Sequence, residues 1–342
     1  MSSEVRRWDD IKDAYVNGCV LLGNGSSIAV HSGFLYSSLR SAASERGFLA
    51  EAEPLFKTFD TPDFELVLRL LWQADRVNTA LDAQVPLVRK SYETVRTALI
   101  QTVRATHLEH GELRDNPFAP AESTLRTKNA FLASFNLVVS LNYDLLVYWA
   151  RMAEAGNSRD CFGREDDRLV FQGLPDQLAA NSSYVLYPHG NLCLLRDRFG
   201  DELKMRGGDS TLLENTLKAW ESGEFIPLFV SEGTSEQKMR SIRSSAYLSA
   251  AYAGMRKPTH NNALVLYGWG MGEHDAHILE ALKGRQPQRV AVSAFRLSPQ
   301  QCDDLDRQIN RIFGVAPDLF AADSVGPWSG RSAGLAAKVA AQ

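Results

Sequence analysis

Three short polar motifs in this chain each follow a short apolar run. Gly23-Asn24-Gly25-Ser26-Ser27 follows residues 19–22, Asn142-Tyr143-Asp144 follows 137–141, and His189-Gly190 follows 184–187 and Pro188. Glycines after a strand let the backbone approach a ligand, and the start of the next helix offers unpaired N–H groups to a pyrophosphate. An amide and an imidazole at the ends of separate parallel strands face the crevice where open α/β sheets bind ligands. Asn142 can hold a water through its amide. His189 is suited to move a proton, because imidazole titrates near neutrality. Each motif also has a plainer reading: a strand-to-helix turn for the glycines, a helix cap for Asp144, a turn histidine for His189. Their succession after three separate runs is what sets them apart. The glycine loop is not the dehydrogenase fingerprint. Ile28 stands where its third glycine belongs, and residues 35–46 read as helix where that motif needs a strand closed by an acidic residue.

The segment Tyr267-Gly268-Trp269-Gly270-Met271-Gly272-Glu273-His274-Asp275 reads as another ligand-facing loop before a helix. His274 and His277, with Asp275 and Glu273, have the spacing of a zinc pair on one helical turn. An i,i+3 pair is common, however, and no further ligand cluster accompanies it, so no metal is expected. His107 and His110 repeat the spacing on the inserted helix and read as solvated.

The elements that must position these motifs are six apolar runs: residues 19–22, 137–141, 184–187, 226–230, 263–267 and 289–293. Continuous apolar runs this short read as strands buried on both faces, and the helix-like stretches between several of them imply a parallel sheet. The expected fold is a Rossmann-like, doubly wound α/β domain of about six strands with a helical insertion. The insertion spans 54–126, dividing the domain into 1–53 and 127–325. It holds one helix capped by Thr61 with Pro62 at its first position, and a second after Pro86 with Val88, Tyr92, Val95, Leu99 and Val103 on one stripe. The stripe predicts a cover for one side of the sheet, with a lid or an oligomer contact as the alternative. Residues 156–183 read as a long loop with room for a hairpin, and 326–342 as a fraying tail.

Bulk properties narrow the classes. The 342 residues carry a formal charge of −4 and no basic block, which does not favour direct nucleic-acid binding. The start, residues 1–10, lacks a signal-peptide core, and no apolar run is long enough to span a membrane. Cys19, Cys161, Cys193 and Cys302 are far apart, so neither a paired-cysteine zinc site nor a disulfide framework is expected. A reducing cytoplasm is the expected setting.

The order glycine loop, Asn-x-Asp, His-Gly resembles the sirtuin superfamily over about residues 19–295, apart from the insertion. By that resemblance Gly23, Gly25 and Ser27 belong to a phosphate loop that also includes Asn24 and Ser26. Asn142 and Asp144 match the Asn-x-Asp motif, and His189-Gly190 the catalytic His-Gly pair. The stretch with Gly268, Gly270 and Asp275 looks like the glycine-rich end of sirtuin-like domains in bacterial anti-phage proteins. Ser231 and Gly233 fall where sirtuins place another nucleotide-side loop. The chain departs from sirtuin deacylases in lacking their paired-cysteine zinc module and the Gly-Ile-Pro-Asp-Phe-Arg stretch. In this it is similar to zinc-free sirtuin-like proteins of bacterial immunity. The resemblance implies NAD as substrate and hydrolysis to nicotinamide and ADP-ribose, with catalysis by Asn142, His189 and Asp144. It also implies service as an abortive-infection effector; because an unrestrained NAD hydrolase would harm its host, control by homo-oligomerisation or by an activating protein partner is expected. Two other classes share the motifs: a non-catalytic nucleotide sensor, and an NAD-dependent deacylase or ADP-ribosyltransferase.

Overall fold

A computed structural model describes residues 4–34, 39–49, 51–83, 86–113, 121–154, 156–206, 211–230 and 232–329. The strands, in chain order, are β1 (Val5–Arg6), β2 (Cys19–Leu22), β3 (Leu137–Ser140), β4 (Ser158–Arg159), β5 (Phe162–Glu165), β6 (Arg168–Phe171), β7 (Ser183–Leu186), β8 (Gly190–Asp197), β9 (Glu202–Lys204), β10 (Phe225–Phe229), β11 (Ala263–Tyr267), β12 (Arg289–Ala294) and β13 (Asp318–Ala321). The helices are α1 (Trp8–Ile11), α2 (Asn24–Val30), α3 (Leu39–Glu45), α4 (Glu53–Thr58), α5 (Phe64–Ala80), α6 (Pro86–Thr106), α7 (Ala121–Ala133), α8 (Leu146–Met152), α9 (Leu212–Glu221), α10 (Ser235–Arg243), α11 (Ala246–Gly254), α12 (Ala276–Lys283), α13 (Pro299–Phe313) and α14 (Gly326–Ser329).

The main sheet is Rossmann-like and has eight strands in the order β1-β13-β12-β11-β2-β3-β7-β4. Every neighbouring pair in it is parallel. Its central strands are apolar but for Ser140 and Ser183 at two ends because both faces are covered: β2, β3, β7 and β11 are buried at every position. The chain starts the centre at β2, lays β3 on one side and later returns to lay β11 on the other. The loops after β2 and β11 therefore flank a topological switch point, the place where such sheets open a crevice.

Five of the six apolar runs lie in this sheet, with β7 shifted by one residue from its expected start. The run at 226–230 does not. As β10 it pairs antiparallel with β8 in a second, five-stranded sheet of order β10-β8-β9-β6-β5. A buried antiparallel strand is as uniformly apolar as a parallel one, so composition alone misplaces it. The stretch 156–183 folds as β4 followed by the β5–β6 hairpin, with Glu165 opposite Arg168. Beyond the expected strands, β1 and β13 extend the parallel sheet at one edge.

The boundaries drawn at 53/54 and 126/127 fall inside α4 and α7. Helices α5 and α6 pack on each other, and α5 lies against β10 and α6 against α9. The cap of α5 is Asp63, whose side chain accepts from Glu65 N at 3.0 Å; Thr61 instead accepts from Asp63 N. At the other end, α14 is ordered where a frayed tail was expected. Its Trp328 is buried and donates from Nε1 to Ser26 O at 2.8 Å, tying it to the first motif; residues 330–342 lie outside the described residues. Among the described residues no helix is long and apolar enough to cross a membrane.

Candidate functional site

A cavity of about 360 Å³ lies at the C-terminal ends of β11, β2, β3 and β7, within the volume range of ligand pockets. Gly23 and Asn24 enter it from the loop after β2, and Leu141, Asn142 and Tyr143 from the loop after β3. His189 follows β7, while Gly268, Trp269, Gly270 and Asp275 come from the segment after β11. Glu232 and Lys238 close it from the region around α10. Strands that pair in register bring motifs far apart in sequence to one edge: Leu22 lies beside Tyr267 and beside Ser140, and Val139 beside Leu186.

The first and last loops are joined by their backbones. Gly23 N donates to Tyr267 O at 2.9 Å, and Gly25 N to Gly268 O at 2.8 Å. Gly268 has φ +65°, and a Cβ there would sit 2.1 Å from Ser26 N, so no side chain fits. Gly190 has φ +76°, and a Cβ would lie 2.1 Å from Leu228 O. It serves the turn between the two sheets and does not line the cavity.

The first motif therefore divides. Gly23 and Asn24 line the cavity, whereas Gly25, Ser26 and Ser27 do not. Ser26 Oγ donates to Gly23 O at 2.7 Å. Ser27 Oγ donates to Asp144 Oδ2 at 2.8 Å and accepts from Asn142 Nδ2 at 2.8 Å. The second Nδ2 hydrogen of Asn142 goes to Gly23 O at 3.1 Å. Both amide hydrogens are thus engaged inside the fold, and Asn142 offers the cavity its carbonyl oxygen, an acceptor. Asp144 is buried away from the cavity. It accepts from Ser27 and from Leu146 N at 3.0 Å, holding the start of α8. Burial raises its pKa to about 6. Asp144 does not line the cavity, and of the roles expected of it this placement suits holding the Asn142 loop. Gly233 also stays off the cavity wall, and Ser231 lies outside the described residues.

His189 is buried, and its Nε2 lies 2.8 Å from Nε2 of His277. Burial and the nearby Lys238 ammonium push its pKa well below 6.5, so the ring is neutral at neutral pH. That departs from the near-neutral titration expected of it. Asp275 accepts from Lys238 Nζ at 2.8 Å and from Trp269 Nε1 at 3.1 Å. Burial alone would raise its pKa, but the neighbouring His189, the Lys238 ammonium and these bonds together lower it below the ordinary carboxylate value. The buried Lys238–Asp275 pair keeps a fixed dipole in the wall.

Lys238 and Glu232 join the site without having been named for it, His277 joins it in a role other than the zinc pair, and Trp269 lies in the loop read as ligand-facing. Lys238 had a legible signal: it shares the buried face of α10 with Ser241 and Ile242, and a lysine on an apolar stripe needs a partner. Helix α10 starts at a capping box in which Thr234 accepts from Gln237 N and Gln237 accepts from Thr234 N. Ser235 and Lys238, three residues apart, then reach His277 and Asp275. His277 itself is buried at the start of α12, while His274 is 64% exposed, so the zinc pair read from spacing does not form.

Donor atoms of His189, Asp275 and His277 lie within 4.8 Å of one another. Lys238 bonded to Asp275 places a positive charge where a dication would have to sit, and the two imidazoles bond each other, so the residues fit an internal network better than a metal. His107 is buried rather than solvated. Its Nε2 accepts from Leu145 N at 3.1 Å and its Nδ1 lies 2.7 Å from Leu108 O, and burial lowers its pKa to about 4. It braces the loop that carries Asn142.

No curated protein matches the chain by sequence. Among solved structures it is similar to one described as a structural basis for the mechanism and regulation of Sir2 enzymes. The two are 10% identical, with 98% of this chain and all of that one covered and a TM-score of 0.36, too low to argue from. Residues 20–328, nearly the whole parallel sheet and all of the cavity, match the model of a domain of unknown function, DUF4917, and the chain belongs to that family.

Proposed function

We propose that the cavity binds NAD and that the chain hydrolyses the bond between nicotinamide and ribose, giving nicotinamide, ADP-ribose and a proton. The observation that supports this best is the meeting of Asn142, His189 and the Gly23, Gly268 and Gly270 backbones around one cavity at the sheet's switch point. Nicotinamide leaves as a neutral group, so the pocket's task is to stabilise positive charge building on the ribose and to place a water. Asp275, ionised in the wall, supplies the electrostatic part. The Asn142 carbonyl oxygen can accept one hydrogen of the attacking water, which leaves a water lone pair for the anomeric carbon. His189 takes the proton that the water or a ribose hydroxyl releases. Backbone at Gly23, Gly268 and Gly270 lets the diphosphate lie close. An unrestrained enzyme of this kind would deplete its own cell, so restraint through self-association or a protein partner, and use as an anti-phage effector, belong to the same reading.

The test is to incubate the pure full-length chain with NAD and follow nicotinamide release. His189→Ala should lose at least about a hundredfold in turnover, the lower end of what a proton-transfer group supplies, while binding ADP-ribose within a few-fold of wild type. Near-normal turnover in that variant would sink the mechanism. A second reading has one observation in its favour: the His189 side chain is tied into bonds within the fold. Saturable binding with NAD left intact would make the protein a nucleotide sensor. NAD loss only in the presence of an acylated peptide would make it a transferase.

A further inference from the structure

We infer that His277 is a latch on His189: its Nε2 hydrogen fills the lone pair through which His189 would act as base, and a ligand entering the cavity opens that bond. The inference concerns the regulation of the site just described and rests on the proposed hydrolysis for its consequence in rate.

Two imidazole Nε2 atoms 2.8 Å apart must hold one hydrogen between them, because two lone pairs or two hydrogens would repel. The surroundings say which ring carries it. Ser235 Oγ accepts from the backbone N of His277 at 3.0 Å and also lies 3.0 Å from His277 Nδ1. A hydroxyl has one hydrogen and two lone pairs; the amide takes one lone pair and the hydroxyl hydrogen finds its acceptor at Nδ1, so we assign the proton of His277 to Nε2. The Leu141 backbone beside His189 acts in the same sense, favouring a hydrogen on that ring. With the pair's hydrogen on His277, the neutral His189 ring carries its own on Nδ1, and its Nε2 lone pair is the acceptor of the pair. Every hydrogen from Ser235 through His277 to His189 then has a place with both rings neutral. Burial and Lys238 oppose a second proton on His189.

The same bonds leave His189 without a lone pair for a substrate. His189 lines the cavity and His277 does not, so a ligand meets the restrained ring first and the restraining ring lies behind it. One net hydrogen bond corresponds to roughly a two- to tenfold reduction in the competent population. The latch is weak enough for a bound nucleotide to open.

The direct experiment is an imidazole ¹H–¹⁵N correlation on the full chain labelled with ¹⁵N-histidine at neutral pH. His189 should be protonated at Nδ1 and His277 at Nε2, and ADP-ribose should shift the His189 Nε2 signal as its partner is withdrawn. His277→Leu should release nicotinamide roughly two- to tenfold faster than wild type, and His277→Gln, which keeps a donor, should stay near wild type. A His189 ring protonated at Nε2 would overturn the latch. A slower His277→Leu at unchanged NAD affinity would do so too, since His277 would then be a proton relay, as would tight Zn²⁺ binding that requires His277. If neither wild type nor variant releases nicotinamide, the hydrolase reading falls, and the nitrogen signals alone decide whether the latch exists.

Discussion

Beside the cavity, Lys238, Asp275, His189 and His277 sit together; at the seam between α5 and the antiparallel sheet, Asp63, Glu65, Arg196 and Glu202 do the same. The two clusters are similarly buried but differently completed. At the seam, Arg196 donates to Glu65 at 3.3 Å, to Glu202 at 2.9 Å and to Ser244 O at 3.0 Å. Glu202 also accepts from the backbone N of Ala246 and Tyr247, and Asp63 from Glu65 N and Ser241. Carboxylates with that many donors clamp three parts of the chain, even though Arg196 and Glu202 border a second cavity, of about 540 Å³. The first cavity's cluster keeps one ion pair and two neutral rings beside the loops that carry the motifs. A buried charge with complete bonding inside the fold speaks for architecture. Buried bases beside a cavity speak for chemistry.

The largest effect that separates the two clusters is on stability. Arg196→Met leaves Glu202 buried without its cation and Glu65 with Arg69 alone, and should cost about 3–5 kcal/mol, read as a lower midpoint in urea unfolding, with ligand affinity preserved in whatever protein remains folded. Should Arg196→Met instead unfold like wild type, the seam is not a clamp and the contrast fails. Asn142→Ala should show that the cavity side has an architectural layer too. Removing its bonds to Gly23 O and Ser27 Oγ should cost roughly 1–3 kcal/mol in the same measurement, on top of any loss of turnover.

The last effect is on pH dependence, a slope of at most about 1.4 kcal/mol per pH unit for each group, and its sign differs between the clusters. Burial, with Lys238 close by, lowers the pKa of His189, and burial also holds His277 down at about 4. The native state then binds fewer protons than the unfolded chain, so this cluster loses stability as pH falls from about 6.5 towards 4. Burial and the Glu65 charge raise Asp63 from 3.8 to about 8. There the native state binds more protons, so stability is full below about pH 3.8 and is lost as pH rises through about 8. Urea midpoints between pH 4 and 9 should lose their alkaline decline in Asp63→Asn and part of their acid decline in His277→Leu. Identical profiles for the two variants would erase the distinction.

The strands and the motif order were legible because each signal is local. A run such as 263–267 is apolar over its whole length, and a polar motif follows it at once, so both could be read without knowing any neighbour. The same locality explains the errors. Residues 226–230 carry no mark of which sheet they join. His107 stands on a polar stretch, yet its surroundings are Phe34, Trp149 and the Leu145 amide, all remote in sequence. Asp144 and Asn142 look alike as polar residues after a strand. Only the fold turns one into the sheet's packing and the other onto the cavity.

By itself the sequence determined that buried parallel strands carry polar loops at one edge, because apolar run length and the residue that ends a run are properties of neighbouring positions. Tertiary structure decided which nitrogen of His189 is engaged, that both amide hydrogens of Asn142 are taken and which carboxylate meets Lys238. Those outcomes depend on groups 37 to 119 residues apart held within about 3 Å, and a hydrogen bond is directional and short-ranged. Spacing along the chain says nothing about contacts of that kind until the strands have set their register.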